Sequence, residues 1–550
     1  MERLKIKKVT SLEKVFPKKE PTGVGWKDTI SVLQGETMSF QIAYLWKEPG
    51  KQRGKVCVHA PKEVSVQVRT VGLVPCAYPC HQETDEQYLT TEPGLYPDLL
   101  QEVTEFGFSA ISGQWRSLWV EVKALEAGTH QVDVELKSLF EGVFCEKVII
   151  NIEVIPAQLP KNPILHTEWF HCDCLANYYG VEVFSERHWE IVENFVKTAV
   201  KRGCNTLLTP IFTPPLDTDI GGERRTVQLI DVCVENGRYF FGYDKFERWV
   251  EMCKRAGVLY LEMSHLFSQW GAYAAPKIVA TVDGEEQKIF GWNTKGSGEE
   301  YTAFLQEFLT SFTAKLESLG ISKQCIFHVS DEPGLYQLDS YKAAKEIVKD
   351  YLKGYRMIDA LSDYHFYEQG LIEEPVCATD HIEPFLEKRP ERLWAYYCTA
   401  QSKNVSNRFI VMPGNRTRIL GLQLYKYRID GFLQWGYNFY NSQFSLYPIN
   451  PYQITDADGA FPSGDPFLVY PGADGKPEES IRIMLMQEAF QDLAALKYLE
   501  QAAGRDAVLE CLQEADYGEL KFDQYPTELD YIFKVRECVN RKIKNILKNS

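Results

Sequence analysis

The stretch IFHVSDEP, residues 326–333, decides the fold, because an apolar run suited to a buried strand ends there in two adjacent carboxylates. The apolar run from Cys325 to Val329 is too short for a helix. The helical pattern before it, Tyr301 to Leu319, ends at a glycine, as helices commonly do. The stretch therefore predicts a buried strand that follows a helix.

Two acids come at the C-terminal end of this predicted strand. Pro333 has no N–H for a ladder hydrogen bond and Gly334 interrupts a strand, so Asp331 and Glu332 lie where the strand enters a loop. Parallel sheets of α/β proteins keep their active sites at the C-terminal ends of their strands. The chemistry of this protein is therefore predicted at Asp331 and Glu332.

From Ile164 onwards, short apolar runs alternate with helical patterns. Four helical stretches carry apolar residues at three- and four-residue spacing: Arg187 to Lys201, Tyr243 to Arg255, Tyr301 to Leu319 and Leu338 to Leu352. Eight runs are candidate strands: Leu165 to Phe170, Thr206 to Leu208, Leu259 to Met263, Cys325 to Val329, Tyr355 to Ile358, Val376 to Ala378, Leu393 to Tyr397 and Gly431 to Trp435. This alternation predicts a closed (β/α)8 barrel of the TIM type, with room for only a short helix between Ile382 and Pro390.

The first 160 residues have a different pattern, with hardly any helical periodicity. Apolar and polar residues alternate in the β-type runs Met38 to Tyr44, Val64 to Val71, Ser117 to Val122, Gln131 to Leu136 and Val148 to Ile155. The last run stops at Pro156, and the proline-rich residues 156–163 are predicted to form a stiff linker. A β-sandwich is expected to end there.

The fold expected for the whole chain is therefore multidomain, α/β plus β. After the barrel, amphipathic patterns from Glu478 to about Glu500 and from Leu529 to Leu547 predict helices that cap it. The predicted domains are an N-terminal β-sandwich over residues 1–160, a catalytic (β/α)8 barrel over 161–475 and a C-terminal helical segment over 476–550.

Composition excludes several classes of partner. The net charge of −16 and the pI near 5.3 would repel phosphate backbones and anionic lipid, so neither nucleic acid nor a membrane is expected. The N-terminal residues MERLKIKKVTSLEKVFP contain no apolar region of a signal peptide, which favours a cytoplasmic protein. The sequence leaves the oligomeric state open.

A metal site is not expected. The tightest cluster of ligand-type residues is His171-Cys172-Asp173-Cys174, but alternate strand residues face opposite ways and no partner CxxC or HxxxH motif exists. The fourteen cysteines have no framework spacing and are expected to be free thiols. No cofactor is predicted.

Polar and aromatic residues follow most of the eight strands, and a barrel would bring them to one mouth. They are Glu168, His171 and Asp173, then His265, Asp359, Asp363, Asp380 and His381, and finally Trp435, Tyr437 and Asn438. Aromatic faces stack on sugar rings while carboxylates and amides bind hydroxyls, so this set favours a carbohydrate substrate. Seven of these residues are our candidates for substrate binding: Trp435, Tyr437, Asn438, His171, Asp173, His265 and Asp363.

Three motifs carry a resemblance to a known family. IFHVSDEP, GFLQWGYN (Gly431 to Asn438) and FLVYPGADGKPEESIR (Phe467 to Arg482) together resemble glycoside hydrolase family 123 and its DUF4091 relatives, over nearly the whole chain. The resemblance implies a β-N-acetylgalactosaminidase, a retaining enzyme in which a consecutive Asp-Glu pair works by substrate-assisted catalysis. Carried onto this sequence, that pair is Asp331 and Glu332.

The chemistry of glycoside cleavage agrees with this implication. A proton must reach the leaving oxygen, and the oxocarbenium-like centre needs a nucleophile or a stabilising charge. Glu332 is expected to be the acid, while Asp331 would hold the N–H of a 2-acetamido group and direct its carbonyl oxygen to the anomeric carbon. Two alternatives stay open, a carbohydrate-binding barrel without catalysis and a glycosidase of another sugar, for which Asp363 or Asp380 could supply the nucleophile.

Overall fold

The computed structural model describes residues 3–514 and 517–549. The N-terminal part consists of strands in which inward and outward residues alternate. These strands are β1 (Leu4–Thr10), β2 (Thr29–Gln34), β3 (Thr37–Trp46), β4 (Lys51–His59), β5 (Val64–Cys76), β6 (Gly94–Glu102), β7 (Phe108–Ile111), β8 (Trp115–Ala124), β9 (Gly128–Ser138) and β10 (Cys145–Gln158).

The N-terminal strands form two sheets that share one hydrophobic core. Phe40 and Leu118 from one sheet lie in the same buried cluster as Val132 and Ile150 from the other. The predicted end of the last strand at Pro156 is wrong. Strand β10 continues to Gln158 because its register against β2 shifts after Ile155, which accommodates the proline without a ladder hydrogen bond.

The remaining strands belong mostly to the barrel. They are β11 (Leu165–Glu168), β12 (Thr206–Thr209), β13 (Asp231–Glu235), β14 (Arg238–Gly242), β15 (Tyr260–Met263), β16 (Ile278–Val282), β17 (Glu285–Phe290), β18 (Cys325–Phe327), β19 (Arg356–Leu361), β20 (Glu374–Ala378), β21 (Trp394–Tyr396), β22 (Gly431–Gln434), β23 (Val469–Pro471) and β24 (Pro477–Ser480).

A closed barrel of eight parallel strands, β11-β12-β15-β18-β19-β20-β21-β22, confirms the predicted (β/α)8 architecture. Each predicted strand overlaps one of these. Strand β18 ends two residues earlier than predicted, because the backbone N–H groups of Val329 and Ser330 donate to the Asp359 carboxylate and not to a neighbouring strand. The backbone is thereby released from the sheet just before Asp331.

Two β-structures were not predicted. A four-stranded sheet, β14-β13-β16-β17, is assembled from the segments that follow β12 and β15. In addition, the β23–β24 hairpin pairs with β6 and so extends the larger N-terminal sheet, with Ser480 opposite Leu99. The predicted boundary at residue 475 falls inside this hairpin.

Twelve α-helices cover the barrel and the C-terminal part of the described chain. They are α1 (Cys172–Tyr179), α2 (Glu186–Lys201), α3 (Asp244–Ala256), α4 (Glu299–Ser318), α5 (Leu338–Val348), α6 (His365–Glu368), α7 (Glu383–Glu387), α8 (Gly414–Arg418), α9 (Leu420–Lys426), α10 (Ile481–Ala503), α11 (Arg505–Glu514) and α12 (Tyr531–Asn549). Helix α7 is the short helix expected between Ile382 and Pro390. Within the described ranges, no helix has the length and apolarity needed to cross a membrane.

The long helix α10 begins at Ile481, three residues after the predicted start at Glu478, because residues Pro477–Ser480 form strand β24. The Ser480 hydroxyl accepts a hydrogen bond from the Ile483 N–H and caps the helix. The helix then contacts α8, α9, α11 and α12, and also β3 and β6 of the N-terminal sheet. It therefore lies between the barrel and the N-terminal strands.

Candidate active site

A cavity of about 170 Å³ opens at the C-terminal end of the barrel strands. Both predicted acids, Asp331 and Glu332, line it. Its other lining residues are Trp169, Leu216, Asp217, Gln269, Trp270, Ala360, Tyr396, Cys398, Thr399, Leu433, Trp435 and Phe461. The combination of acids and aromatic side chains in one recess suits a sugar ring.

The backbone at the acid pair explains how neighbouring side chains reach the same cavity. The backbone of Glu332 has φ 41°, a left-handed conformation that residues other than glycine rarely adopt. Its N–H donates to the Ala360 carbonyl at 3.0 Å, and the Asp331 carbonyl accepts from the Trp270 N–H at 2.7 Å. Contacts with strand β19 and with the loop after β15 thus hold a strained turn, as is common at functional sites.

The pair has a raised affinity for protons. Burial, and then the negative charge of Glu332, raise the pKa of Asp331 well above its usual range, while the charge of His328 opposes this rise. Burial also raises the pKa of Glu332, and the Tyr396 hydroxyl, which donates to Glu332 Oε1 at 2.7 Å, counteracts it. Because the two acids interact, they titrate as one unit.

A buried ion network lies beside Asp331. His328 Nε2 contacts Glu262 Oε1 at 2.7 Å and its Nδ1 contacts Asp359 Oδ1 at 3.3 Å. These two carboxylates outweigh the burial of the ring and raise the pKa of His328 to about 9. His328 is therefore an imidazolium at neutral pH, and it places a positive charge next to the acid pair.

His265, a predicted substrate-binding residue, lies outside the cavity. Its ring is buried, with its centroid 4.3 Å from that of His328, and neither ring nitrogen has a hydrogen-bond partner in the described part of the chain. Burial, together with the charge of His328, keeps the pKa of His265 well below its usual range, so the ring is neutral. Its contact with His328 makes it a packing partner of the ion network.

The closest set of metal-type ligands among the described residues is His265, His328 and Asp359, whose ligand atoms lie within 4.8 Å of one another. Both nitrogens of His328 already face carboxylates. A protonated histidine has no lone pair to offer a metal. The arrangement is therefore better suited to a hydrogen-bonded ion network than to a metal site.

Trp435 is the predicted aromatic residue that does line the cavity. It is half-buried, and its indole N–H donates to Asp465 Oδ2 at 3.0 Å. Burial raises the pKa of Asp465 to about 7. The indole is thereby fixed at its edge while its ring borders the cavity.

Tyr437 and Asn438 do not line the cavity. Tyr437 is fully buried and its hydroxyl donates to the Phe195 carbonyl at 2.9 Å, because the chain beyond β22 turns this side chain into the protein interior. Asn438 accepts from the His171 N–H at 2.9 Å and donates to the His171 carbonyl at 3.1 Å. This amide therefore ties the segment after β11 to the segment after β22.

His171 and Asp173 also lie behind the cavity wall and not in it. The Arg224 guanidinium binds both oxygens of Asp173, at 2.6 and 2.9 Å, and contacts His171 Nδ1 at 3.1 Å. His171 Nε2 donates to the Trp435 carbonyl at 2.8 Å. Burial first, then the charge of Arg224, lower the pKa of His171 to about 3, so the ring is neutral.

Asp363 lies at the barrel mouth but does not line the cavity. Its carboxylate accepts from the backbone N–H of His365 and lies 2.7 Å from the His365 ring. Asp380 is paired with His381 in the same way, at 2.7 Å, and accepts from the Gln401 amide at 2.9 Å. The charge of Asp380 nevertheless contributes to the raised pKa of Glu332.

A protein-family model now decides the family. The model for the catalytic domain of glycoside hydrolase 123 matches residues 169–499, more than half of the 550 residues. The chain belongs to glycoside hydrolase family 123. It is thus a glycosidase that acts on a carbohydrate substrate. A comparison with curated proteins found no match to its sequence.

The fold of this family 123 chain is similar to that of a solved family 123 structure, while two other similarities are weak. A family 123 glycoside hydrolase from Clostridium perfringens, studied for glycolipid glycan hydrolysis, has a TM-score of 0.75 at 15% identity, covering 99% of this chain and 98% of that chain. A family 39 glycoside hydrolase from Bacteroides cellulosilyticus WH2 has a TM-score of 0.34 at 10% identity, with 81% and 80% covered. A family 5 xyloglucanase from Bacteroides ovatus has a TM-score of 0.32 at 8% identity, with 84% and 98% covered.

Several residues that line the glycosidase cavity were not singled out in the sequence. Trp169 directly follows β11 and Tyr396 ends β21, so their position at strand ends was a usable signal. Trp270 and Phe461 lie within loops, where no periodicity indicates which way a side chain points. Asp217 comes eight residues after β12, too far from the strand end to be placed by strand position.

Proposed function

We propose that this glycosidase removes a β-linked 2-acetamido-2-deoxy sugar, with N-acetylgalactosamine as the first candidate, by retaining, substrate-assisted catalysis. Glu332 is the general acid, and Asp331 holds the acetamido group as it attacks the anomeric carbon. The observation that carries the proposal is the presence of both consecutive carboxylates in one cavity, brought together by the left-handed backbone at Glu332. The choice of sugar rests on the family resemblance of the motifs.

The electrostatics of the pair support this division of roles. In the free chain, burial and mutual repulsion favour retention of a proton on the pair. An acetamido N–H that donates to Asp331 would stabilise the anion of that residue, so the shared proton would be carried by Glu332 when substrate is bound. The imidazolium of His328 acts in the same direction, because its charge lowers the pKa of Asp331.

The positions of Asp363 and Asp380, the two candidate enzymic nucleophiles, favour the substrate's own acetamido group as nucleophile. An enzymic nucleophile would need a carboxyl about 5 Å from the acid, on the other side of the anomeric carbon. Asp363 and Asp380 are outside the described cavity lining, and each is already paired with a histidine. Neither is well placed to attack a sugar held by Asp331 and Glu332.

The aromatic residues support a pyranose in the cavity. The indole of Trp435 is held by Asp465, so its orientation is fixed before a ligand arrives. Trp169 is held in the same way, since its indole N–H donates to Glu262 Oε1 at 2.8 Å. Pre-oriented aromatic faces bind a sugar ring with little loss of conformational entropy.

A panel of nitrophenyl glycosides tests the proposal. We expect hydrolysis of the β-linked N-acetylgalactosaminide, and weak or no hydrolysis of the matching galactoside, which lacks the acetamido group. Faster hydrolysis of the galactoside would assign the chain to a glycosidase of another sugar. Hydrolysis of no glycoside, together with calorimetric binding of the free sugars, would identify a binding barrel without catalysis.

A further inference from the structure

Asp217 is a third carboxyl in the catalytic cavity, and the mechanism proposed above gives it no role. It lies in the loop after β12 and lines the cavity together with Asp331 and Glu332. The loop segment is fixed on both sides, since the Asp217 N–H donates to Gln269 Oε1 at 2.7 Å and its carbonyl accepts from the Ser445 hydroxyl at 2.8 Å. The backbone of this aspartate is therefore held in place by two other loops of the barrel mouth.

The conformation of Asp217 is costly. Its φ is 42°, in the left-handed region, and its Oδ2 atom is buried without a hydrogen-bond partner among the described residues. A buried carboxyl oxygen without a donor loses its hydrogen bonds to water, and no protein hydrogen bond replaces them. Strain and an unsatisfied polar atom at one residue of a cavity wall indicate a group that is held ready for a ligand.

The surroundings of Asp217 leave it available. The charge of Arg224 lowers the pKa of Asp217, but that guanidinium is bound to Asp173, the Leu216 carbonyl and His171. Burial raises the pKa of Asp217 to about 6, against the opposing effects of the Arg224 charge and of the backbone N–H groups of Phe444 and Ser445, so the carboxyl is an anion above that pH. An anionic acceptor on a cavity wall, without an ion-pair hydrogen bond of its own, is suited to the hydroxyl groups of a sugar.

We propose that Asp217 is a substrate-binding residue, whose carboxylate accepts a hydrogen bond from a ring hydroxyl of the sugar that Asp331 and Glu332 release. This inference rests on the proposed function for the identity of the sugar, but not for the existence of the contact. It adds a determinant of sugar specificity that is separate from recognition of the 2-acetamido group.

The test compares Asp217→Asn and Asp217→Ala with the parent on a nitrophenyl N-acetyl-β-galactosaminide and on its 3-, 4- and 6-deoxy analogues. Loss of a hydrogen bond to a charged acceptor should lower kcat/KM by about 10- to 100-fold, mainly through KM. For the analogue that lacks the contacted hydroxyl, parent and variant should differ little. Asp219→Asn is the control, since Asp219 is exposed, lies two residues away and is outside the cavity lining.

Two results would overturn the inference. One is unchanged kinetics in both Asp217 variants. The other is an equal loss of kcat/KM on the complete N-acetyl-β-galactosaminide and on all three deoxy analogues, which would indicate a purely structural role. If the parent enzyme hydrolyses no glycoside, that result counts against the proposed function alone. Calorimetric titration of parent and Asp217→Asn with N-acetylgalactosamine and with galactose then decides, and equal affinities would refute the contact.

Discussion

Glu332 is a half-buried acid with a raised pKa, and among the described residues its one side-chain donor is the Tyr396 hydroxyl. General acid catalysis typically contributes about 10²- to 10⁴-fold, so Glu332→Gln should lower kcat by that factor on an unactivated glycoside. The loss should shrink for a nitrophenyl leaving group, which needs less protonation. An equal loss on both substrates would show that Glu332 has another role, and full activity on the unactivated glycoside would remove it from catalysis.

For the individual residues of the site, the sequence identifies the acid pair but not its geometry. A strand that ends in two acids places Asp331 and Glu332 at the barrel mouth. The left-handed backbone of Glu332 depends on contacts with Ala360 of β19 and with Trp270 in the loop after β15, which no local pattern encodes. Tyr437 lies near Trp435 in sequence, yet its hydroxyl is bonded to the Phe195 carbonyl in the interior, so adjacency in sequence did not imply a shared cavity.

In the segment after β22, Trp435 borders the cavity whereas Tyr437 packs in the interior, so substitutions at these two residues form a matched pair of variants. Trp435→Ala should raise KM and lower kcat/KM, because the indole borders the cavity, and it should leave the chain folded. Tyr437→Phe should leave KM unchanged and lower the free energy of unfolding by about 1 kcal/mol, through loss of one buried hydrogen bond. Steady-state kinetics and urea unfolding of both variants test this, and the opposite pattern would assign substrate binding to Tyr437.

His328, the residue that follows β18, should make the stability of the fold depend on pH. The folded-state pKa of His328 is about 9, above its ordinary value of 6.5. A raised pKa means that the imidazolium stabilises the fold fully below pH 6.5, and that this contribution is lost as the pH rises through 9. His328→Gln should therefore lower the free energy of unfolding at pH 6, and the gap to the parent should narrow towards pH 9.5.

Urea unfolding across this pH range measures the effect. The exposed His59 provides the control, because His59→Gln should follow the parent at every pH. A gap between His328→Gln and the parent that stays constant from pH 6 to pH 9.5 would show that the His328 charge does not stabilise the fold. Titrations of groups remote from His328 are common to both proteins and cancel in the comparison.

A buried ion pair joins the larger N-terminal sheet to helix α10, which packs on the barrel. Asp98 on β6 binds the Arg482 guanidinium of α10 at 2.8 and 2.9 Å, and both side chains are fully buried. Asp98→Ala leaves a buried charge without its partner, which should cost about 3–5 kcal/mol. Chemical unfolding should show this loss, whereas Glu20→Ala, which breaks an exposed pair with Lys5, should change little. A small effect of Asp98→Ala would mean that the two parts are held together by other contacts.

The overall architecture could be predicted where the pattern is local. Strand and helix alternation from Ile164 gives all eight barrel strands, since each has its own apolar run. The four-stranded inserted sheet could not be predicted, because β13 and β16 pair across two separate loops. The pairing of β24 with β6 joins segments far apart in the chain, so it depends on the tertiary fold. The domain boundaries themselves remain a prediction.

Binding of the thiazoline analogue of N-acetylgalactosamine tests the central claim most directly, because it has the shape of the oxazoline intermediate that substrate-assisted catalysis requires. Transition-state-like ligands bind far more tightly than substrates. We predict that the thiazoline binds at least about 100-fold more tightly than N-acetylgalactosamine, and that Asp331→Asn abolishes most of this advantage. Equal affinity for the thiazoline and the simple sugar, with a fluorosugar captured covalently on Asp363 or Asp380, would contradict the proposed mechanism.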